Sequence, residues 1–62
     1  MSARITIISQ RYWNGSRLQS AGIIQDGNRF LFKGCGDLWA YDDLASARAA
    51  FDGFLSDKEL AA

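Results

Sequence analysis

Three short clusters of turn-forming residues constrain this chain more than any other feature of its sequence. They are Asn14-Gly15, Asp26-Gly27-Asn28 and Gly34-Cys35-Gly36-Asp37, and runs rich in isoleucine, phenylalanine, tryptophan or tyrosine separate them. Glycine, asparagine and aspartate adopt the backbone angles that tight reversals between antiparallel strands require. The spacing therefore predicts a three- to four-stranded antiparallel β-meander, with strands over about residues 4–13, 16–25, 29–34 and 37–41.

The lengths of these turns determine which side chains share a face of the predicted sheet, because a slip of one residue moves a whole strand to the other face. We expect a two-residue turn at Asn14-Gly15 and a three-residue loop at residues 26–28, in which Asn28 adopts the left-handed conformation. The third turn pairs Phe32 with Trp39 and Phe30 with Tyr41. The predicted core face contains Ile5, Ile7, Trp13, Gly22, Ile24, Phe30, Phe32, Trp39 and Tyr41.

After Tyr41 the apolar residues change to the spacing of a helix. Leu44, Ala47, Phe51, Phe54 and Leu55 form one stripe, which predicts an α-helix over about residues 43–55 packed on the aromatic face of the sheet. Asp42 or Asp43 occupies the N-cap position. Residues 56–59 have the form of a capping box, which predicts either a short further helical turn or a frayed end. The expected fold class is α+β, in a single domain over residues 1–62.

The residue types argue against catalysis and against a structural metal. The chain has no histidine and one cysteine, so neither a zinc ligand set nor an internal disulfide is expected, and a serine or thiol nucleophile lacks its commonest base. Asp42 and Asp43 are adjacent at a helix start, where their side chains diverge and capping explains them better than a metal site. Cys35 is expected to project from the tip of its turn without a functional role. We therefore predict no enzyme and no cofactor.

The apolar runs are too short to span a membrane, so no membrane is expected among the partners. A membrane-spanning helix needs about 18 consecutive apolar residues, and no run approaches that length. The first ten residues, MSARITIISQ, also lack the long apolar stretch and small-residue cleavage site of a signal peptide. The sequence predicts a cytoplasmic protein.

Charge is divided between the two halves of the chain. Residues 1–34 carry five cations and one anion, a formal charge of +4, whereas residues 35–62 carry two cations and six anions, −4, so that the net charge is zero. We predict a basic outer sheet face and an acidic helix side, although either could also be an ordinary solvated face. The candidate binding surface comprises Arg4, Tyr12, Arg17, Arg29 and Lys33. The secondary acidic surface comprises Asp42, Asp43, Asp52, Asp57 and Glu59.

One cation does not fit this arrangement. The expected register places Arg11 on the core face, so Arg11 either lies beyond the end of the helix or is turned outward by a bulge near Ile8-Ser9.

These features predict a small non-enzymatic interaction protein of the regulator or inhibitor type, such as mobile elements encode, that docks on a protein partner through a charged surface. The alternative is a DNA- or RNA-binding module that uses the basic outer face. Basic strands followed by the helix YDDLASARAAFDGF resemble, in order and charge, the arm-binding regions of tyrosine integrases, which would imply nucleic-acid binding. Opposed charged faces also permit a homodimer. The choice between the basic sheet face and the acidic helix face as the binding surface stays open.

Overall fold

The structure is a computed structural model that describes residues 3–61. It confirms the α+β class: an antiparallel meander of β-strands carries one C-terminal helix on one face. The elements are β1 (Arg4–Asn14), β2 (Arg17–Asp26), β3 (Arg29–Gly34), β4 (Asp37–Tyr41), α1 (Leu44–Leu55) and β5 (Glu59–Ala61). Within the described residues the sheet has five strands in the order β4-β3-β2-β1-β5.

The first hairpin turns one residue later than the sequence predicts. Its loop is Gly15-Ser16, with Asn14 paired to Arg17, and the β1–β2 register shifts at a bulge between Thr6 and Ile8. Gly15 supplies the positive φ, 63°, at the first central position of this two-residue turn. Together, the turn and the bulge give a different pairing of β1 with β2 from the one expected.

The second loop contains two residues rather than three, and this decides which face of β2 is covered. Asp26 pairs with Arg29, so the loop is Gly27-Asn28, and Gly27 rather than Asn28 carries the positive φ, 64°. Ile23 is therefore directly opposite Phe32. The expected core positions Trp13, Gly22 and Ile24 consequently lie on the far face, and Tyr12, Ala21 and Ile23 form the core. Ile5, on the other side of the bulge, pairs with Gln25 and stays on the face of Phe30, but it is 59% exposed.

The β3–β4 hairpin has the expected register. Phe32 pairs with Trp39 and Phe30 with Tyr41, and the Phe32 and Trp39 rings stack with centroids 5.1 Å apart. The two-residue loop Cys35-Gly36 has positive φ at both positions, 53° and 79°, as a type I′ turn requires. The free Cys35 is exposed at the tip, as predicted.

Helix α1 covers the face of the sheet that carries Phe32. Asp43 is its N-cap, and the carboxylate accepts a hydrogen bond of 2.7 Å from the backbone N–H of Ser46. Phe51 and Phe54 both meet Phe32 edge to face. The buried cluster is Tyr12, Ala21, Ile23, Phe32, Ala47 and Phe51. No helix within residues 3–61 is long and apolar enough to cross a membrane.

The segment after the helix is a strand, not the helical turn or frayed end expected from its capping-box pattern. The helix ends at Leu55, and β5 then pairs with β1 along Arg11–Trp13. Gln10 supports this pairing, because its side-chain Nε2 donates to the backbone carbonyl of Ala61 at 2.9 Å. Backbone pairing with an existing strand outweighs a local capping signal that has too few residues after it to build a helix.

Candidate functional site

The sheet face opposite α1 has no helix or second sheet packed on it within residues 3–61. We call it the uncovered face and define it by the cross-strand register, since directly paired residues project to the same side. Its residues are Arg4, Thr6, Ser9, Arg11 and Trp13 of β1, Leu18, Ser20, Gly22, Ile24 and Asp26 of β2, Arg29, Leu31 and Lys33 of β3, Leu38 and Ala40 of β4, and Glu59 and Ala61 of β5.

Three of the five predicted binding residues lie on the uncovered face. Arg4, Arg29 and Lys33 are exposed there. Arg4 and Arg29 flank Asp26, and the Nε of Arg4 lies 3.2 Å from a carboxylate oxygen of Asp26. Lys33 lies nearer the middle of the face, beside Gly22 on one side and Leu38 on the other.

The placement predicted for the other two residues is wrong. Tyr12 is completely buried, with 0% of its surface exposed, because the loop between β2 and β3 is one residue shorter than expected. Its hydroxyl donates to the side-chain oxygen of Gln19 at 3.1 Å. Arg17 is exposed but pairs with Asn14, so it lies on the same side of the sheet as Tyr12.

The expected register placed Arg11 and Trp13 on the core face, but the structure places both on the uncovered face. Both are exposed, and Trp13 lies directly opposite Leu18 in β2. Arg11 thus lies outward, but not because of a bulge near Ile8-Ser9: the shorter loop at Gly27 places Arg11 and Trp13 together on this face. The exposed indole of Trp13 and the exposed side chain of Leu18 form an apolar spot next to the cations. The sequence did not predict this spot, because the expected register placed Trp13 under the helix.

A shallow depression of about 160 Å³ lies within the uncovered face. Gly22 lies in it between Lys33 and Ser9, its neighbours on β3 and β1. The depression is lined by Lys33 and the hydroxyl-bearing residues Thr6, Ser9 and Ser20, together with Ile8, Ala21, Gly22 and Ile24. Hydroxyl donors and an ammonium group around a small recess complement a carboxylate or another small oxyanion.

The bulge in β1 and Gly22 belong to the same local arrangement. A Cβ built on Gly22 would lie 2.5 Å from the backbone carbonyl oxygen of Ile8, which is closer than a side chain tolerates. The approach of the bulged strand therefore requires a glycine at this position.

The acidic residues do not form one continuous surface. Asp42, Asp43, Asp52 and Asp57 are exposed on or beside the helix, as expected, and Asp52 pairs with Arg48 at 3.4 Å. Glu59 instead lies opposite Trp13 in β5, so it belongs to the uncovered face. Among the charged side chains of residues 3–61, the uncovered face carries four cations, Arg4, Arg11, Arg29 and Lys33, against the two anions Asp26 and Glu59.

Within residues 3–61 no group of three histidine, cysteine, aspartate or glutamate side chains is arranged to hold a metal ion. The perturbed carboxyl group is Asp43, whose pKa is lowered below its usual value mainly by the backbone hydrogen bond from Ser46. That hydrogen bond caps the helix, so the lowered pKa reports helix stabilisation.

Comparison with protein-family models finds no match to this chain, and searches of the curated proteins and of the solved structures find no significant similarity.

Proposed function

We propose that this chain is a non-enzymatic interaction protein that binds an acidic protein partner through the uncovered face. The observation that carries the proposal is the depression at Gly22, where Lys33 and the hydroxyl-bearing residues Thr6, Ser9 and Ser20 line one recess. A partner's aspartate or glutamate side chain has the size and charge to enter it. Cations outnumber anions four to two on the same face, which favours an acidic surface around that side chain.

Apolar side chains near the cations favour a protein partner over nucleic acid. Trp13 and Leu18 form one exposed pair, and Leu38, with 53% of its surface exposed, lies beside Lys33. Protein interfaces combine such apolar and aromatic contacts with a few charged groups, whereas nucleic-acid-binding surfaces carry a stripe of cations along the phosphate backbone. Asp26 and Glu59 interrupt any such stripe here.

Charge reversal on the two sides of the sheet tests this proposal. Lys33→Glu reverses the cation of the depression, whereas Arg17→Glu makes the same change in net charge on the opposite side. We expect a protein captured from host lysate by the wild-type chain to be retained by Arg17→Glu. Lys33→Glu should weaken its binding about tenfold or more, because a charged group in the recess would lose its partner. The purified partner should then be titrated with the wild-type chain and with each of the two variants.

Oligonucleotide probes provide the second arm of this experiment. Double-stranded DNA and RNA are titrated in gel-shift assays at low and moderate salt, where phosphate contacts are strongly salt-dependent. Binding that weakens steeply with salt and is lost in Lys33→Glu would replace the protein proposal with the nucleic-acid alternative. Capture that is equally sensitive to Arg17→Glu and Lys33→Glu would overturn the assignment to the uncovered face.

A further inference from the structure

The outer edge of β4 is a regular strand edge with few of the features with which proteins block further pairing. β4 ends the sheet, and no other strand among residues 3–61 pairs with its outer side. The segment Asp37–Tyr41 contains neither proline nor lysine, and its pairing with β3 runs without a bulge. An edge of this kind is a template for a strand from another chain.

The opposite edge of the sheet is protected. β5 covers β1 at Arg11–Trp13 and is only three residues long. The rest of β1 carries the bulge between Thr6 and Ile8 and begins at Arg4. Bulges, short strands and charged side chains are the usual means by which edge pairing is prevented. A head-to-tail contact between β4 and this edge is therefore disfavoured, and β4 is the edge that is open to pairing.

We propose that β4 pairs in antiparallel orientation with β4 of a second copy of this chain, which joins the two sheets into one. The register follows from two requirements. First, residues that pair must project to the same face of the joined sheet. Second, the pairing should include every residue of β4, Asp37–Tyr41. Both are met when Trp39 of one copy faces Trp39 of the other. The contact is isologous and closes as a twofold dimer.

The backbone groups that this register requires point outward in the single chain. The pair Gly34–Asp37 closes the two-residue turn and exchanges hydrogen bonds across it, and hydrogen-bonded pairs alternate along an antiparallel ladder. Asp37, Trp39 and Tyr41 therefore bond to β3, while the N–H and C=O groups of Leu38 and Ala40 face away from it. In the dimer Leu38 lies opposite Ala40 of the second copy, so these groups satisfy each other.

The side chains of β4 are compatible with this pairing. Trp39 stacks on Phe32 and is still 41% exposed, so its indole is held in place for a cross-strand aromatic contact with its copy. The one charged residue of the strand, Asp37, lies opposite Tyr41 of the second copy, so no like charges meet directly. The exposed side chain of Leu38 is covered by Ala40 of the second copy.

Removal of one outward N–H tests the dimer with little disturbance to the fold. In Ala40→Pro the ring replaces an N–H that does not bond to β3, and proline is tolerated in edge strands when its position faces solvent. Ala40→Thr is the matched control, because it changes the same side chain and keeps the donor. Sedimentation equilibrium over a concentration series should show the wild-type chain and Ala40→Thr passing from 6.9 kDa to twice that mass, while Ala40→Pro stays at 6.9 kDa.

Hydrogen exchange of the wild-type chain provides an independent measurement in case Ala40→Pro fails to fold. The amides of Leu38 and Ala40 should exchange more slowly at high protein concentration than at low, while exchange at Gly15 and Ser16 in the distant turn is unchanged. A wild-type chain that stays monomeric throughout overturns the proposal. So does a folded Ala40→Pro variant that dimerises as the wild type does, or assembly beyond a dimer, which would indicate a head-to-tail contact.

Discussion

Tyr12 and Phe54 meet edge to face in the core, with ring centroids 5.4 Å apart and ring planes at 84°. Tyr12 is completely buried, whereas its neighbour Trp13 is 39% exposed on the other side of β1. We therefore expect Tyr12→Ala to cost about 3–5 kcal/mol, which is as much as a core in a domain of this size usually supplies, so the variant should be unfolded. Trp13→Ala should cost about 1 kcal/mol or less, as is usual for a side chain outside the core.

Tyr12→Phe separates the ring from its hydroxyl group. The hydroxyl donates to Gln19, whose side-chain oxygen also accepts from Asn14 at 3.2 Å and so keeps a partner. Loss of the hydroxyl should cost only about 0.5–1.5 kcal/mol. Urea unfolding followed by circular dichroism measures all three variants. A larger loss for Trp13→Ala than for Tyr12→Ala would mean that the assignment of the two faces of β1 is wrong.

The sequence predicts this fold well where one local signal determines the structure. Asp43 caps α1 and Phe32 meets Trp39 as expected, because a helix stripe and a type I′ turn each depend on a few neighbouring residues. The faces of β1 and β2 could not be predicted in the same way. Trp13 and Tyr12 are both large and apolar, so alternation alone fits either choice, and one residue in the length of the loop at Gly27 reverses it.

The candidate site was predicted only in part for the same reason. Arg29 and Lys33 keep their predicted face because the β3 strand was placed correctly, whereas Arg17 does not. The depression at Gly22 lies beside the bulge of a strand that is distant in sequence. A glycine inside an apolar strand run was the signal that could have indicated such a close approach.

Gly22 and Gly53 are a matched pair for testing that close approach. A Cβ at Gly22 would lie 2.5 Å from the backbone oxygen of Ile8, while a Cβ at Gly53 in α1 would meet nothing within 4 Å. Gly22→Ala should therefore destabilise the fold by about 1–3 kcal/mol, as overpacking does. Gly53→Ala should stabilise it by about 0.5–1 kcal/mol, since alanine is the better helix former.

Urea unfolding measures both glycine variants against the wild-type chain. Equal effects of the same sign would show that the bulged strand does not approach Gly22 as described.

Cys35 carries a conformational cost that a substitution can remove. It is the first residue of the type I′ turn and has a φ of 53°, which side chains other than those of asparagine and aspartate adopt unfavourably. Cys35→Asn creates the preferred Asn-Gly turn and should stabilise the hairpin by up to about 1 kcal/mol. Cys35→Val should destabilise it, because a β-branched residue is poorly suited to positive φ. Thermal unfolding under reducing conditions compares these variants, and Cys35→Ser should retain the native fold.

Asp43 should make the stability of the helix depend on pH in the acidic range. Its pKa is lowered below the ordinary value of 3.8, because the charged carboxylate accepts the hydrogen bond from Ser46. The folded chain therefore binds fewer protons than the unfolded chain between the two pKa values. The stabilisation is fully present above the unfolded pKa and is lost as pH falls through the folded one.

The Asp43 variants separate the charge from the hydrogen bond. Asp43→Asn keeps a capping oxygen but has no charge to titrate. As the pH falls and the Asp43 carboxyl group is protonated, the Tm of the wild-type chain should therefore fall relative to the Tm of Asp43→Asn. Asp43→Ala should have the lowest Tm of the three at neutral pH, since its cap is missing. Thermal scans between neutral pH and about pH 2 follow both differences. A difference between the wild-type chain and Asp43→Asn that is constant across this range would contradict the coupling of the carboxylate to the helix.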